Sequence, residues 1–126
     1  MKKTYTGCCH CGLVRFEVDA DIDHVRVCDC SVCRKRGALN FRVDDRDLRL
    51  KTSLDQLSVY QWGSLTAKDY FCPKCGILSF RRPSHPMDAE ADRGVLRFDG
   101  WTINARCLDE IDITTLPQKL IHGSLL

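Results

Sequence analysis

The chain has 126 residues, a formal net charge of +2, 44% hydrophobic residues and 29% charged residues. That length buries roughly two thirds of the unfolded surface, so one domain spanning residues 1–126 is expected, and the composition excludes a disordered chain. The small net charge singles out neither nucleic acid nor a polybasic membrane surface, and no apolar run approaches the roughly 18 residues of a membrane helix.

After Met1, Lys2 and Lys3 the chain passes directly to Thr4, Tyr5, Thr6 and Gly7. With no apolar h-region there, the expected location is the reducing cytoplasm. The first of three cysteine groups follows, Cys8-Cys9-His10-Cys11-Gly12. Val14, Phe16 and Val18 then alternate with Arg15 and Glu17 and predict a half-buried strand. The second group, Cys28-Asp29-Cys30-Ser31-Val32-Cys33, runs into residues 31–36, which suit one helical turn with Ser31 as N-cap. Leu39, Phe41 and Val43 alternate with Asn40 and Arg42 as a second strand.

Residues 57–62, 68–71, 77–80 and 95–98 are further short strand candidates, rich in β-branched and aromatic residues. Cys72-Pro73-Lys74-Cys75-Gly76 falls among them. The polar segment 83–94, with Asp88, Glu90 and Asp92, reads as a solvated loop rather than a cation site. Trp101, Ile103, Ala105 and Cys107 are expected on one face of a last strand. No long 3.6-residue period occurs, so the fold class is mainly β, a small antiparallel β domain.

Nine cysteines, an odd number, in a reducing compartment point away from disulfides and toward metal ligation. Cys72 and Cys75, followed by Gly76, form the tight turn of a zinc knuckle, aiming two sulfurs and several backbone N–H groups at one tetrahedral ion. A structural zinc normally takes four ligands, so this pair needs two more, and the N-terminal group can supply them. Spacing leaves two choices there: Cys8 with Cys11, or the tighter Cys9 with Cys11.

The middle group offers Cys28, Cys30 and Cys33. Three ligands leave one tetrahedral position for water or substrate, as catalytic zinc requires. His10, His24, His85, His122 and Cys107 are the residues able to close that position from afar. A thioredoxin-like pair at Cys72 and Cys75 would want a βαβ setting that the pattern lacks, and iron–sulfur ligation is the chemical alternative for the middle group. Cys107 reads as a small core residue beside Trp101 and Ile103, and the isolated histidines as surface or satisfied core residues.

Three stretches taken together carry a resemblance: Gly7-Cys8-Cys9-His10-Cys11-Gly12-Leu13-Val14-Arg15-Phe16, Cys28-Asp29-Cys30-Ser31-Val32-Cys33-Arg34-Lys35-Arg36-Gly37-Ala38, and Tyr70-Phe71-Cys72-Pro73-Lys74-Cys75-Gly76. A fainter extension covers Asn104-Ala105-Arg106-Cys107-Leu108-Asp109. In this order they resemble the family of glutathione-dependent formaldehyde-activating enzymes, which includes centromere protein V. The resemblance implies an Mss4-like β fold with two zinc ions per chain. It implies a structural zinc on Cys9, Cys11, Cys72 and Cys75, with Cys8 where the family often has Ser. It also implies a second zinc on Cys28, Cys30 and Cys33, the candidate catalytic residues, with an exchangeable fourth position.

The implied activity is carbon–sulfur bond formation or cleavage, as when glutathione adds to formaldehyde to give S-hydroxymethylglutathione. A thiol entering the open position loses its proton and becomes a nucleophile at neutral pH; in reverse the metal stabilises the departing thiolate. Three thiolates on one Zn²⁺ carry net negative charge, for which Arg34, Lys35 and Arg36 are the adjacent compensating cations. The expected function is thus a zinc-dependent carbon–sulfur lyase acting on a small thiol adduct, with glutathione the thiol the resemblance names. The alternative is a non-catalytic zinc-ribbon-like module that engages nucleic acid or protein through Arg34, Lys35, Arg36, Arg81 and Arg82, although such short basic runs are usually solvated surface.

Overall fold

The computed structural model describes residues 1–84, 92–94 and 98–122. Its strands are β1 (Lys3–Cys8), β2 (Arg15–Ala20), β3 (Val25–Cys28), β4 (Asn40–Val43), β5 (Leu48–Leu50), β6 (Ser58–Tyr60), β7 (Lys68–Phe71), β8 (Leu78–Arg82), β9 (Trp101–Asn104) and β10 (Gln118–Ile121). One helical turn, α1 (Cys33–Arg36), joins β3 to β4. The fold is mainly β, as expected. The order β1-β2-β5 makes a three-stranded sheet, and β10-β3-β4-β9-β8-β7-β6 a seven-stranded one. Among these pairs only β10 with β3 is parallel.

Period-two alternation explains how the sheets meet. In β2 Phe16, Val18 and Ala20 are buried, while the intervening Glu17 and Asp19 face Arg49 and Lys51 outside. On the facing sheet Phe41, Val43, Phe80, Trp101 and Ile103 are buried in the same cluster. Phe80 stands edge-on to Phe16 at 5.7 Å and to Trp101 at 5.4 Å between ring centroids. Each such pair adds about 0.5–1.5 kcal/mol beyond its buried area. Gly7 lies opposite Phe16 in the β1–β2 register, and a Cβ built there falls 2.4 Å from the Phe16 ring. Replacing Gly7 with Ala should therefore destabilise by about 1–3 kcal/mol, read as a lower urea midpoint with unchanged slope.

The same alternation gives the large sheet a second, polar face. Register places Arg26 beside Asn40, Arg42 beside Thr102, Thr102 beside Arg81, and Arg81 beside Asp69, across five neighbouring strands. Strand β9 is buried at all four positions even though Trp101 and Ile103 alternate with polar Thr102 and Asn104. Cys28 ends β3 on the same side as Arg26.

Several expectations are corrected. The helical turn starts at Cys33 with Val32, not Ser31, at its N-cap position, and no side chain caps it; the N–H groups of Val32 and Cys33 instead help to lower the Cys30 thiol. Ala105 and Cys107 are buried but lie on a 3-10 turn after β9, which stops at Asn104. The last strand is β10, which, like β1, β3 and β5, lies outside the expected strands. The strand expected over 57–62 is only Ser58–Tyr60, and that expected over 77–80 starts at Leu78 and runs to Arg82. Residues 95–97 of the 95–98 strand, and 85–91 of the 83–94 loop with His85, Asp88 and Glu90, lie outside the described residues; Phe98 is in no strand.

Candidate metal centre

Two turns, one near the start of the chain and one just past its middle, meet at the first cluster. Cys9 and Cys11 sit between β1 and β2, and Cys72 and Cys75 between β7 and β8. Each turn is closed by its own backbone, Cys9 N–H to Val14 O at 3.0 Å and Cys72 N–H to Ile77 O at 3.0 Å. Gly76 completes the second turn at φ +78°, a conformation that L side chains rarely adopt. The four sulfurs all lie within 4.8 Å of one another. Cys9 to Cys11 is 3.7 Å and Cys11 to Cys72 is 3.5 Å. An ion at about 2.3 Å from four tetrahedral sulfurs holds them about 3.8 Å apart, so donor type, number and spacing all fit zinc.

The choice that spacing left open is decided by strand geometry. Successive side chains of a strand point to opposite faces. Cys9 is buried at the cluster, whereas the Cys8 sulfur lies 3.6 Å from Asp109 Oδ1.

Backbone donors prepare the cluster for an ion. The N–H groups of Cys11 and Ile77 pull the Cys75 thiol down to about 6. Cys72 is also lowered; burial opposes this, but the N–H groups of Cys75 and Lys74 prevail. The Leu13 N–H pulls on Cys11, yet burial and the sulfurs of Cys72, Cys9 and Cys75 push it up to about 11. A bound cation would displace that remaining proton.

The second cluster is Cys28 at the end of β3, Cys30 in the connecting turn and Cys33 at the start of α1, again with sulfurs within 4.8 Å of one another. Burial, then the sulfurs of Cys30 and Cys28, pushes Cys33 up to about 12. Cys30 is lowered: burial opposes, but the Cys33 thiol and the N–H groups of Cys33 and Val32 stabilise its thiolate. Among the described residues no fourth ligand joins the three. Cys107 is in the core at 3.5 Å from Ser79 Oγ, and His24 is held by Asp23 at 2.6 Å. His122 comes nearest by topology: β10 lies along β3 with Ile121 opposite Cys28, and the His122 Nδ1 is 3.2 Å from Asp29 Oδ2.

Charge around the centre differs from the simplest reading of the basic run. Arg34 and Lys35 are exposed, but Arg36 is bound at 2.8 Å to Asp69, which also takes Arg81 at 2.5 Å. Asp69 is 1% exposed and shares its single negative charge between two guanidinium groups at the base of the polar face. Replacing Asp69 with Ala leaves both uncompensated and should cost about 3–5 kcal/mol, measurable by denaturant unfolding. Although Arg42 reaches solvent, partial desolvation of its guanidinium, then Arg26 and Arg81, hold it below the usual guanidinium value, with Cys28 opposing. Arg26, Arg42 and Arg81 thus form a row of cations alongside Cys28. Strand pairing, absent from spacing rules, is the signal that assembles it.

A cleft of ≈750 Å³ opens between the two clusters. Its wall includes Cys8, His10, Arg36, Asp69, Asn104 and Cys107. The three sulfurs of the second cluster do not line it; α1 begins at Cys33, and Arg36, at its far end, is in the wall.

The family model for glutathione-dependent formaldehyde-activating enzyme matches residues 4–97, a span holding both cysteine clusters. The chain belongs to this family. The solved structure of a protein from Rhodobacter sphaeroides is similar to this family member, with 30% sequence identity, a TM-score of 0.70, and coverage of 90% of this chain and 99% of that one. Cys107 and His122 lie beyond the matched span. No helix among the described residues is long and apolar enough to cross a membrane.

Proposed function

We propose that this family member is a carbon–sulfur lyase-type enzyme that forms or cleaves a thiol–aldehyde adduct such as S-hydroxymethylglutathione at the cluster of Cys28, Cys30 and Cys33. The single observation that carries the reading is the division of the grouped cysteines into a set of four, complete for one tetrahedral ion, and a set of three, with no fourth donor among the described residues. Bound zinc would supply a Lewis acid that lowers the thiol pKa at its remaining position. The protein's part is to hold three sulfurs convergent, one at the end of β3, one on the connecting turn and one at the start of α1, and to offset their negative charge.

The row of Arg26, Arg42 and Arg81 supports an anionic thiol as substrate, because carboxylates take charge-assisted hydrogen bonds from guanidinium groups. Arg42 is exposed and carries no ion pair among the described residues, in contrast to Arg81. Replacing Arg42 with Ala should raise KM for a carboxylate-bearing adduct about tenfold or more while leaving kcat, and turnover of an uncharged thiol adduct, nearly unchanged. The test is a screen of thiol–aldehyde adducts with zinc-loaded protein beside metal analysis. Turnover with two zinc ions per chain, one readily chelated, is expected; a single tightly held ion and no turnover of any adduct would end the proposal.

The binding-module reading draws less support. Of its five basic residues, Arg36 and Arg81 are bound to Asp69, and Arg82 is bound to Asp45 and stacked 3.7 Å over Trp101. Only Arg34 and Lys35 present exposed charge to a polyanion.

A further inference from the structure

Cys8 and Cys107 belong to neither metal cluster, and both are free thiols. Chain register brings them together from opposite ends of the sequence. Gly7 forms an antiparallel bridge with Leu108, and Asp109 donates its N–H to Thr6 O at 2.9 Å. One residue on from that bridge, Cys8 at the end of β1 adjoins Cys107 at the end of the 3-10 turn after β9. A disulfide spans Cα atoms roughly 4.4–6.8 Å apart, the separation typical of neighbouring bridged backbones.

Both residues also line the same cleft. Cys8 is half-buried and open to it, while Cys107 is 7% exposed behind it. Their present contacts are weak sulfur hydrogen bonds: Cys8 donates to Asp109 Oδ1 at 3.6 Å, and Cys107 accepts from Ser79 Oγ at 3.5 Å and donates to Leu78 O at 3.8 Å. Little is lost when the two side chains rotate toward each other.

We propose that Cys8 and Cys107 form a thiol–disulfide exchange site on the cleft wall, converted to an intramolecular disulfide by low-molecular-weight disulfides that enter the cleft. Cys8 sulfur, giving up its proton, attacks one sulfur of the small disulfide; the S–S bond breaks, a mixed disulfide forms and one small thiolate leaves and is protonated. Cys107 sulfur then attacks the Cys8 sulfur, releasing the second small thiol with the second proton. Two electrons pass from the cysteine pair to the small disulfide, which ends as two thiols. The new bond ties β1 to the turn after β9 and removes the Cys8 thiol from the cleft without touching the seven clustered cysteines.

The test is to incubate the zinc-loaded full chain for hours with bis(2-hydroxyethyl) disulfide, a neutral probe, following intact mass without reductant and zinc release in parallel. The expected product has lost two hydrogens, yields a peptide linking Cys8 to Cys107 and retains its zinc. Cys107→Ser should stop at the mixed disulfide on Cys8, and Cys8→Ser should not react at Cys107. The proposal is overturned if both cysteines stay reduced, if the unmodified chain stops at a mixed disulfide, or if bonds form among clustered cysteines with release of zinc.

Discussion

Replacing Cys72 with Ser should leave the chain unable to hold its fold. Its sulfur lies 3.5 Å from that of Cys11, 61 residues away in sequence, and is itself fully buried. The four-sulfur cluster therefore pins the β1–β2 turn to the β7–β8 turn. Structural zinc contributes about 10–16 kcal/mol in small zinc domains, against a total of about 5–15 kcal/mol for an ordinary domain. Loss of one ligand removes more than the fold has to spare. The expected result is an insoluble chain or one without near-UV circular dichroism, with the first zinc absent on metal analysis. A soluble Cys72→Ser protein with an unaltered melting temperature would refute a structural role for this cluster.

Cys30→Ser should separate activity from stability. The Cys30 sulfur receives the N–H groups of Val32 and Cys33, and a serine hydroxyl accepts the same bonds at a helix start. The turn into α1 is thereby preserved, and the melting temperature should shift by no more than about 4 °C, equivalent to about 1 kcal/mol. Metal affinity should not survive. Changing groups that merely support a ligand costs about 10–100-fold, so losing a ligand itself should lower kcat/KM for the adduct by at least about 100-fold. Full activity in a folded Cys30→Ser variant would remove the second cluster from the chemistry.

The same contrast between local and distant control runs through the molecule. Strand β2 was legible because Phe16 and Val18 alternate with charged residues on a sheet with one solvated face, and β4 because Phe41 and Val43 do the same. Strand β9 was legible because Trp101 and Ile103 alternate with Thr102 and Asn104, but the alternation runs on through Ala105, Arg106 and Cys107, where the Asn104 side chain caps a 3-10 turn, so its end was misplaced. Strand β10 is an edge whose Leu120 is 55% exposed, so hydrophobic patterning offered no sign of it. Yet β10 is what brings His122 beside the second cluster.

By itself the sequence determined the local groupings: sulfurs two or three residues apart on a turn lie close together whatever surrounds them, so Cys72 with Cys75, and Cys28, Cys30 and Cys33, were recognisable from spacing alone as sets that could hold a metal ion. Only the tertiary structure decided that Cys9 rather than Cys8 completes the first centre, that Asp69 occupies Arg36, and that Arg26 and Arg42 stand beside Cys28. The reason is strand register. Pairing decides which side of a sheet each residue faces and which distant residue it meets, and a shift of one position would reverse every one of those assignments.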